Sequence, residues 1–362
     1  MKAALLVIVV AHGLLHVAGF LKAFHLAPLN QLALPVTKVN GMLWLAAAML
    51  FIAAVLLRYL EHDYWWMAGV VAIVLSQYLI LTAWDDAKYG TVANVVILFA
   101  CVAAFGQWRF SRTYHHDVAL ARVQNISAQA GVLTERDMLH LPDLVKKYLR
   151  YTGAVGKPKV QAFTVAFTGQ FRQHETSAWM PFHSEQHNFM SSPTRLFFMQ
   201  ATMKQVPVAG FHRFENGHAS MDIRLLSLFR VEYQSGRQMD VSETVTFFND
   251  MCVMAPATLI DGRIRWGKPE GNEVEATFTH GDVTVSAKLY FNDRGELINF
   301  ISNDRYALRD DGTLQRTPWS TPLKEYREIN GYRLGTRAET IYHYADGDFC
   351  YGKFNLMHAA YE

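Results

Sequence analysis

The residues best suited to chemistry sit in the most apolar part of the chain. His12 and His16, in the stretch AHGLLHVAGF, are four apart, so a helix turns both to one side with about 6 Å between their Cβ atoms. An ionisable group inside a membrane is costly and faces a bundle interior or a wet cavity. Asp85, Asp86, Lys88 and Asn94 fall at the same membrane depth as His16, with Ser76 and Gln77 deeper. Neutral imidazole plus carboxylate could relay a proton, carry an ion or small molecule, or hold a divalent metal. The same side chains serve equally as hydrogen-bonding glue between helices. The geometry argues against a bis-His haem, because axial ligands must oppose each other across the iron and a pair on one helix cannot. No metal or cofactor is assigned.

A second histidine pair, HSEQH from His183 to His187, has the same spacing on a different backbone. Its period-two surroundings predict a strand, where four residues span about 13 Å, too far for one metal. There is no GxSxG, HExxH, P-loop or GxGxxG in the required context. Asp346-Gly347-Asp348 lacks the other ligands of a calcium loop. Any constellation in this half must therefore be assembled from distant strands. Its bulky residues, among them Phe163, Phe167, Phe198, Met199, Phe211, Phe214 and Leu225, could fill a closed core or line a pocket for an acyl chain. The candidate ligand-binding residues are Trp179, Glu185, Asp304, Trp319 and Tyr326.

Four apolar runs must carry the first cluster: Ala3–Leu21, Gly41–Leu57, Tyr64–Trp84 and Val92–Trp108. Each is long enough to cross a hydrocarbon core of about 30 Å. Tryptophans at their ends suit the headgroup level. Beyond Phe110 lie 28 of the 34 Lys and Arg and 28 of the 32 Asp and Glu. That balanced charge, without a basic stripe, argues against a nucleic-acid partner. Three scattered cysteines fit neither a zinc cage nor a disulfide framework. Residues 111–140 read as a polar, mildly helical linker, and Leu141–Gly153 as a short helix. Alternating stretches such as VQAFTVAFTGQF and VTVSAKLYF then predict strands, interrupted by a helix over Ser242–Ala255. The expected fold is a transmembrane four-helix domain (1–110) joined to a mainly-β α+β soluble domain (141–362). In the second, about ten antiparallel strands form a curved sheet or half-barrel carrying two or three helices.

The segments HGLLHVAGFLKAF, SQYLILTAWDDAKYGTVAN, LVKKYLRYTGAVGKPKV, WMPFHSEQ and TPWSTPLKEYREINGYR resemble an uncharacterised bacterial family. In it a four-helix membrane segment can precede a β-rich domain that also occurs alone. The β-rich part is similar, more loosely, to the half-barrel of periplasmic lipoprotein carriers, whose concave face holds acyl chains. The resemblance implies an architecture and no reaction. The expected function is a module tethered to the bacterial inner membrane that binds a lipid or other apolar small molecule. Alternatives are a membrane enzyme or transporter built on the His/Asp/Lys cluster, and a scaffold without a ligand. Lys2, Arg58, Arg109 and Arg112 on one side against Lys22, Lys38 and Lys88 on the other lean the β domain toward the cytoplasm, whereas the carrier resemblance leans it to the periplasm.

Overall fold

The computed structural model describes residues 2–29, 32–126, 131–204, 206–309 and 312–362. It divides into two units, Met1–Ser111 and Arg112–Glu362.

The first unit is helical: α1 (Lys2–Ala23), α2 (Lys38–Tyr59), α3 (Trp65–Thr82), the short α4 (Trp84–Ala87) and the start of α5 (Gly90–Asn125). α1, α2, α3 and α5 are long and apolar enough to cross a membrane. Small residues let the backbones close up. A Cβ added at Gly13 would stand 2.9 Å from Phe51 Cβ, and one at Gly19 would fall inside the Trp44 ring. α3 ends at Thr82, two residues before the expected limit, where Ala83 leaves helical geometry. α5 instead runs on to Asn125, through the first half of the expected linker. That segment contains neither Gly nor Pro, and Tyr114, Val118 and Ala121 recur at helical spacing on a buried stripe.

The second unit opens with a 3₁₀ turn, Glu135–Met138, closed by a reciprocal cap between Thr134 and Asp137. Next come α6 (Asp143–Tyr151) and the strands β1 (Ala162–Phe171), β2 (Met180–Phe189), β3 (Thr194–Met203), β4 (Val206–Glu215), β5 (His218–Leu225) and β6 (Phe229–Ser235). α7 (Arg237–Met254) separates these from β7 (Ile264–Trp266), β8 (Glu273–His280), β9 (Val283–Phe291), β10 (Leu297–Ser302), β11 (Tyr306–Leu308), β12 (Leu314–Arg316), β13 (Trp319–Ser320), β14 (Leu323–Ile329), β15 (Tyr332–Tyr344) and β16 (Gly347–Tyr361). Fourteen strands make one antiparallel sheet in the order β6-β5-β4-β3-β2-β1-β16-β15-β13-β10-β9-β8-β7, with β14 on β15; β11 and β12 form a separate ribbon. The sheet has more strands than the ten expected; two of the extra ones, β7 and β13, are only three and two residues long, too short for a period-two pattern to mark. The last strand pairs with the first, and bulges at Ala166/Phe167 and Thr340/Ile341 bend the sheet there. It curls into a half-barrel.

α7 fills the hollow. It starts directly after Gly236, whose φ of 105° a side chain would resist, five residues earlier than the alternating pattern suggested. Val245, Phe247, Phe248, Met251 and Cys252 are fully buried in the core. Phe247 and Phe248 stack on Phe278 at 5.8 and 5.6 Å between centroids. A helix buried on nearly every side must also bury its polar residues, and those shape the site.

Candidate ligand trough on the concave face

Directly opposed residues of antiparallel strands share a face, so the register sorts β1 to β5 into inward-facing rows. The first is Phe163, Asn188, Arg195, Phe214 and Ala219; the second Val165, Gln186, Phe197, His212 and Met221. α7 packs against these two. Phe247 meets Phe214, the Ala219 N–H donates to Asp240, and Asp250 accepts from Gln186 and Asn188. The third row is Phe167, Ser184, Met199, Gly210 and Ile223, and the fourth Gly169, Phe182, Ala201, Val208 and Leu225. Here Phe167, Met199, Ile223, Ala201, Val208 and Leu225 keep part of their surface exposed.

These two rows form an apolar trough across five strands, about 19 Å wide at the usual strand spacing. Phe354 of β16 extends it, packed against Phe167 and Phe182 at 5.6 and 5.1 Å. Glycine shapes the floor in two opposite ways. At Gly169 a Cβ would strike the Lys353 carbonyl and the Phe182 ring, so only glycine lets that ring lie over β1. At Gly210 a Cβ would meet nothing closer than Ile223 Cγ1 at 3.9 Å. A Cβ is therefore accommodated at Gly210 without a clash, although the residue is buried.

The polar face of α7 stands beside the trough. Arg195 donates to Asp250 at 2.7 Å and Glu243 at 3.0 Å, and its remaining nitrogen bonds Gln186. Arg305 approaches Glu243 at 4.0 Å, donates to Thr246 and lies over the Trp319 ring. Burial opposes ionisation of Glu243, but Arg195, His212 and Arg305 outweigh it and bring its carboxyl down to about 2. At Asp250 burial wins over Arg195 and Asn188, and the carboxyl is raised. The two acids share one guanidinium, and Glu243 has His212 and Arg305 beside it as well.

The five ligand-binding candidates do not converge. Trp179 is held between Arg172 and Lys353, each over its ring. Glu185 points to the other face of β2, 3.7 Å from His187; its neighbour Gln186 is the inward one. Asp304 accepts from the Ser286 N–H and hydroxyl and pairs with Arg316. Trp319 is core, its N–H donated to Tyr351. Tyr326 donates to the Leu297 carbonyl and lines a separate hollow of about 460 Å³ with Arg294, Glu296, Ile298, Leu323 and Lys324, polar and apolar in equal measure. Of the trough residues only Phe167, Met199 and Leu225 stand out from sequence; Ser184, Phe182, Ile223 and Gly210 are among those missed. A glycine inside a strand, in VPVAGFHRF, was the available signal.

On the outer face, Tyr114 of α5 stacks on Phe198 and donates to His187 Nδ1 at 2.8 Å. Burial, with Arg122 and His115 nearby, pulls the His187 imidazole down to about 4.

In the helical unit the polar cluster is only partly as expected. His12 and His16 are 4% and 2% exposed and face inward. The His16 Nδ1–H donates to the His12 carbonyl at 2.9 Å, which leaves Nε2 to accept from the Ser76 hydroxyl at 2.9 Å. His12 Nε2 donates to Asn94 Oδ1 at 2.9 Å; the Asn94 amide donates to Ser76 and Gln77, and Gln77 to Thr91. Asp85 and Lys88 lie outside this network and are exposed, and Asp86 accepts from the Leu34 N–H. Depth along the helices brought Asp85 and Lys88 close, but α4 turns them away. Among the described residues no group of three or more His, Cys, Asp or Glu could hold a metal. The network ties α1, α3 and α5 to one another by hydrogen bonds.

Comparison with known proteins adds the following. A model of a family of unknown function, DUF6544, matches residues 131–354. Among curated proteins none matches. A LolA superfamily protein, NE2245 from Nitrosomonas europaea, is similar in structure at 10% identity and a TM-score of 0.33, over 60% of this chain and 93% of that one.

Proposed function

Because the chain belongs to DUF6544, a family of unknown function, its role must come from its own geometry, and we propose a membrane-tethered module that binds a lipid or other apolar ligand. The observation that carries this reading is the uncovered strip of the concave face, where Phe167, Met199, Ile223 and Leu225 keep part of their surface exposed beyond the region filled by α7. Each methylene sheltered there contributes about 0.8 kcal/mol. Four helices long enough to span a bilayer would keep the module near an apolar source at high effective concentration. The positive residues flanking the helices favour a cytoplasmic β domain and an inner-membrane location. No reaction is assigned, and nucleic acid is not a partner of this reading. The transporter alternative loses support because Asp85 and Lys88 stand apart from the histidines.

The test is a photoreactive residue placed at Met199 in the full chain, irradiated in the producing cell's membranes. The expected product is a covalent adduct with an apolar molecule. The same residue at Gln200, on the opposite face of β3, should give little. Equal labelling at both positions, or none at Met199, would overturn the proposal.

A further inference from the structure

Ser184 lies in the trough's third row, between Phe167 and Met199 on the neighbouring strands. Ser184 is 5% exposed, and its Oγ has no hydrogen-bond partner among the described residues. A buried hydroxyl without a partner is costly, so its presence needs a reason. The polar side chain two residues along the same face offers none: Gln186 already donates to Asn188 and Asp250 and accepts from Arg195. The charges on the trough's wall are likewise committed to each other, Arg195 to Glu243 and Asp250, and Arg305 to Glu243. The uncommitted groups at the floor are thus an apolar surface and one neutral, buried hydroxyl.

We infer that the trough's ligand is an alkyl or acyl chain bearing an uncharged hydrogen-bonding oxygen (hydroxyl, ester or amide), and that this oxygen sits against Ser184. The inference rests on the proposed role of the trough and narrows it to a substrate class. A plain hydrocarbon would leave the Ser184 hydroxyl unpaired. A fully charged headgroup would find no free counter-ion on the wall.

The test uses the full chain in nanodiscs with a photoreactive residue at Ile223, which leaves Ser184, Met199 and Gly210 intact. Adduct formation with the bilayer lipid is competed with 1-hexadecanol and, separately, with hexadecane. One neutral hydrogen bond predicts that hexadecanol competes at roughly three- to tenfold lower concentration than hexadecane beyond any difference in membrane partition. Ser184→Ala should remove that margin and leave hexadecane competition unchanged. Because the substitution deletes an unpartnered buried group, the ligand-free thermal midpoint should not fall. If both compounds compete and their ratio is the same in Ser184→Ala as in the parent, the inference is overturned while the trough stands. If neither competes, and Gly210→Trp gives the same adduct yield, the trough reading falls and takes the inference with it.

Discussion

Gly210 on β4 and Ile223 on β5 face each other across the sheet, and a Cβ at Gly210 would find Ile223 Cγ1 as its nearest neighbour, at 3.9 Å. Buried glycines usually mark places where something is already close. Here the glycine is buried, yet a Cβ would make only an ordinary van der Waals contact.

Two substitutions separate those cases. Gly210→Ala should be neutral or stabilising by roughly 0.4–1 kcal/mol, since it reduces the freedom of the unfolded chain without a clash. Gly169→Ala should cost roughly 1–3 kcal/mol, because its Cβ would be driven into the Lys353 carbonyl and the Phe182 ring. Thermal midpoints of the two variants, compared with the parent, check the pair.

Arg195→Met leaves Glu243 and Asp250 buried without their shared partner. Losing one member of a buried pair costs about 3–5 kcal/mol, or on the order of 10 °C in thermal midpoint. Adding Glu243→Gln and Asp250→Asn should recover part of that loss. No recovery would mean that the arginine acts by packing on Phe197, over whose ring it lies, more than by charge.

His187 makes stability depend on pH. Its folded-state value, about 4, is below the ordinary 6.5, so between the two the unfolded chain binds more protons. This contribution is complete above pH 6.5 and is lost as pH falls toward 4, in total about 3 kcal/mol. Protonation also turns Nδ1 from acceptor to donor, against the Tyr114 hydroxyl. His187→Gln should flatten the stability profile between pH 4 and 6.5, as measured by denaturant unfolding at a series of pH values.

The histidines of the helical unit are expected to stabilise and not to transport. Ser76 is shared by His12, His16 and Asn94, whereas Gln77 bonds only Asn94 and Thr91. Ser76→Ala should therefore cost about 1–2 kcal/mol of bundle stability and Gln77→Ala a few tenths. Neither should change labelling from Met199. Abolition of labelling by Ser76→Ala in a protein that still folds would contradict the division of roles drawn here.

Much of this architecture is legible in the sequence because it depends on local periodicity. The apolar runs mark α1, α2, α3 and the first part of α5 to within a few residues, and VQAFTVAFTGQF marks β1. What periodicity cannot supply is which parity of each strand faces the hollow. Glu185 and Gln186 look equally eligible in HSEQH, and Gln186 is the inward one only because Asp250 of a distant helix meets it. The same applies to Phe198 and Met199. One packs under Tyr114 on the outer face and the other lines the trough. Trp319 and Asp304 drew notice by residue type, yet their partners, Tyr351, Ser286 and Arg316, are supplied by the fold.

The most direct measurement compares adduct yield from a photoreactive residue at Met199 in the parent chain and in Gly210→Trp, both full length and in native membranes. The indole would project between Met199 and Ile223 into the trough, its Cβ meeting only Ile223 Cγ1 at 3.9 Å. If the trough holds an apolar ligand, the parent gives a defined adduct and the variant, equally folded by its thermal midpoint, loses at least roughly tenfold of the yield, as expected when about 1.4 kcal/mol or more of binding is removed. An unchanged yield would mean that the ligand, or the function, lies elsewhere.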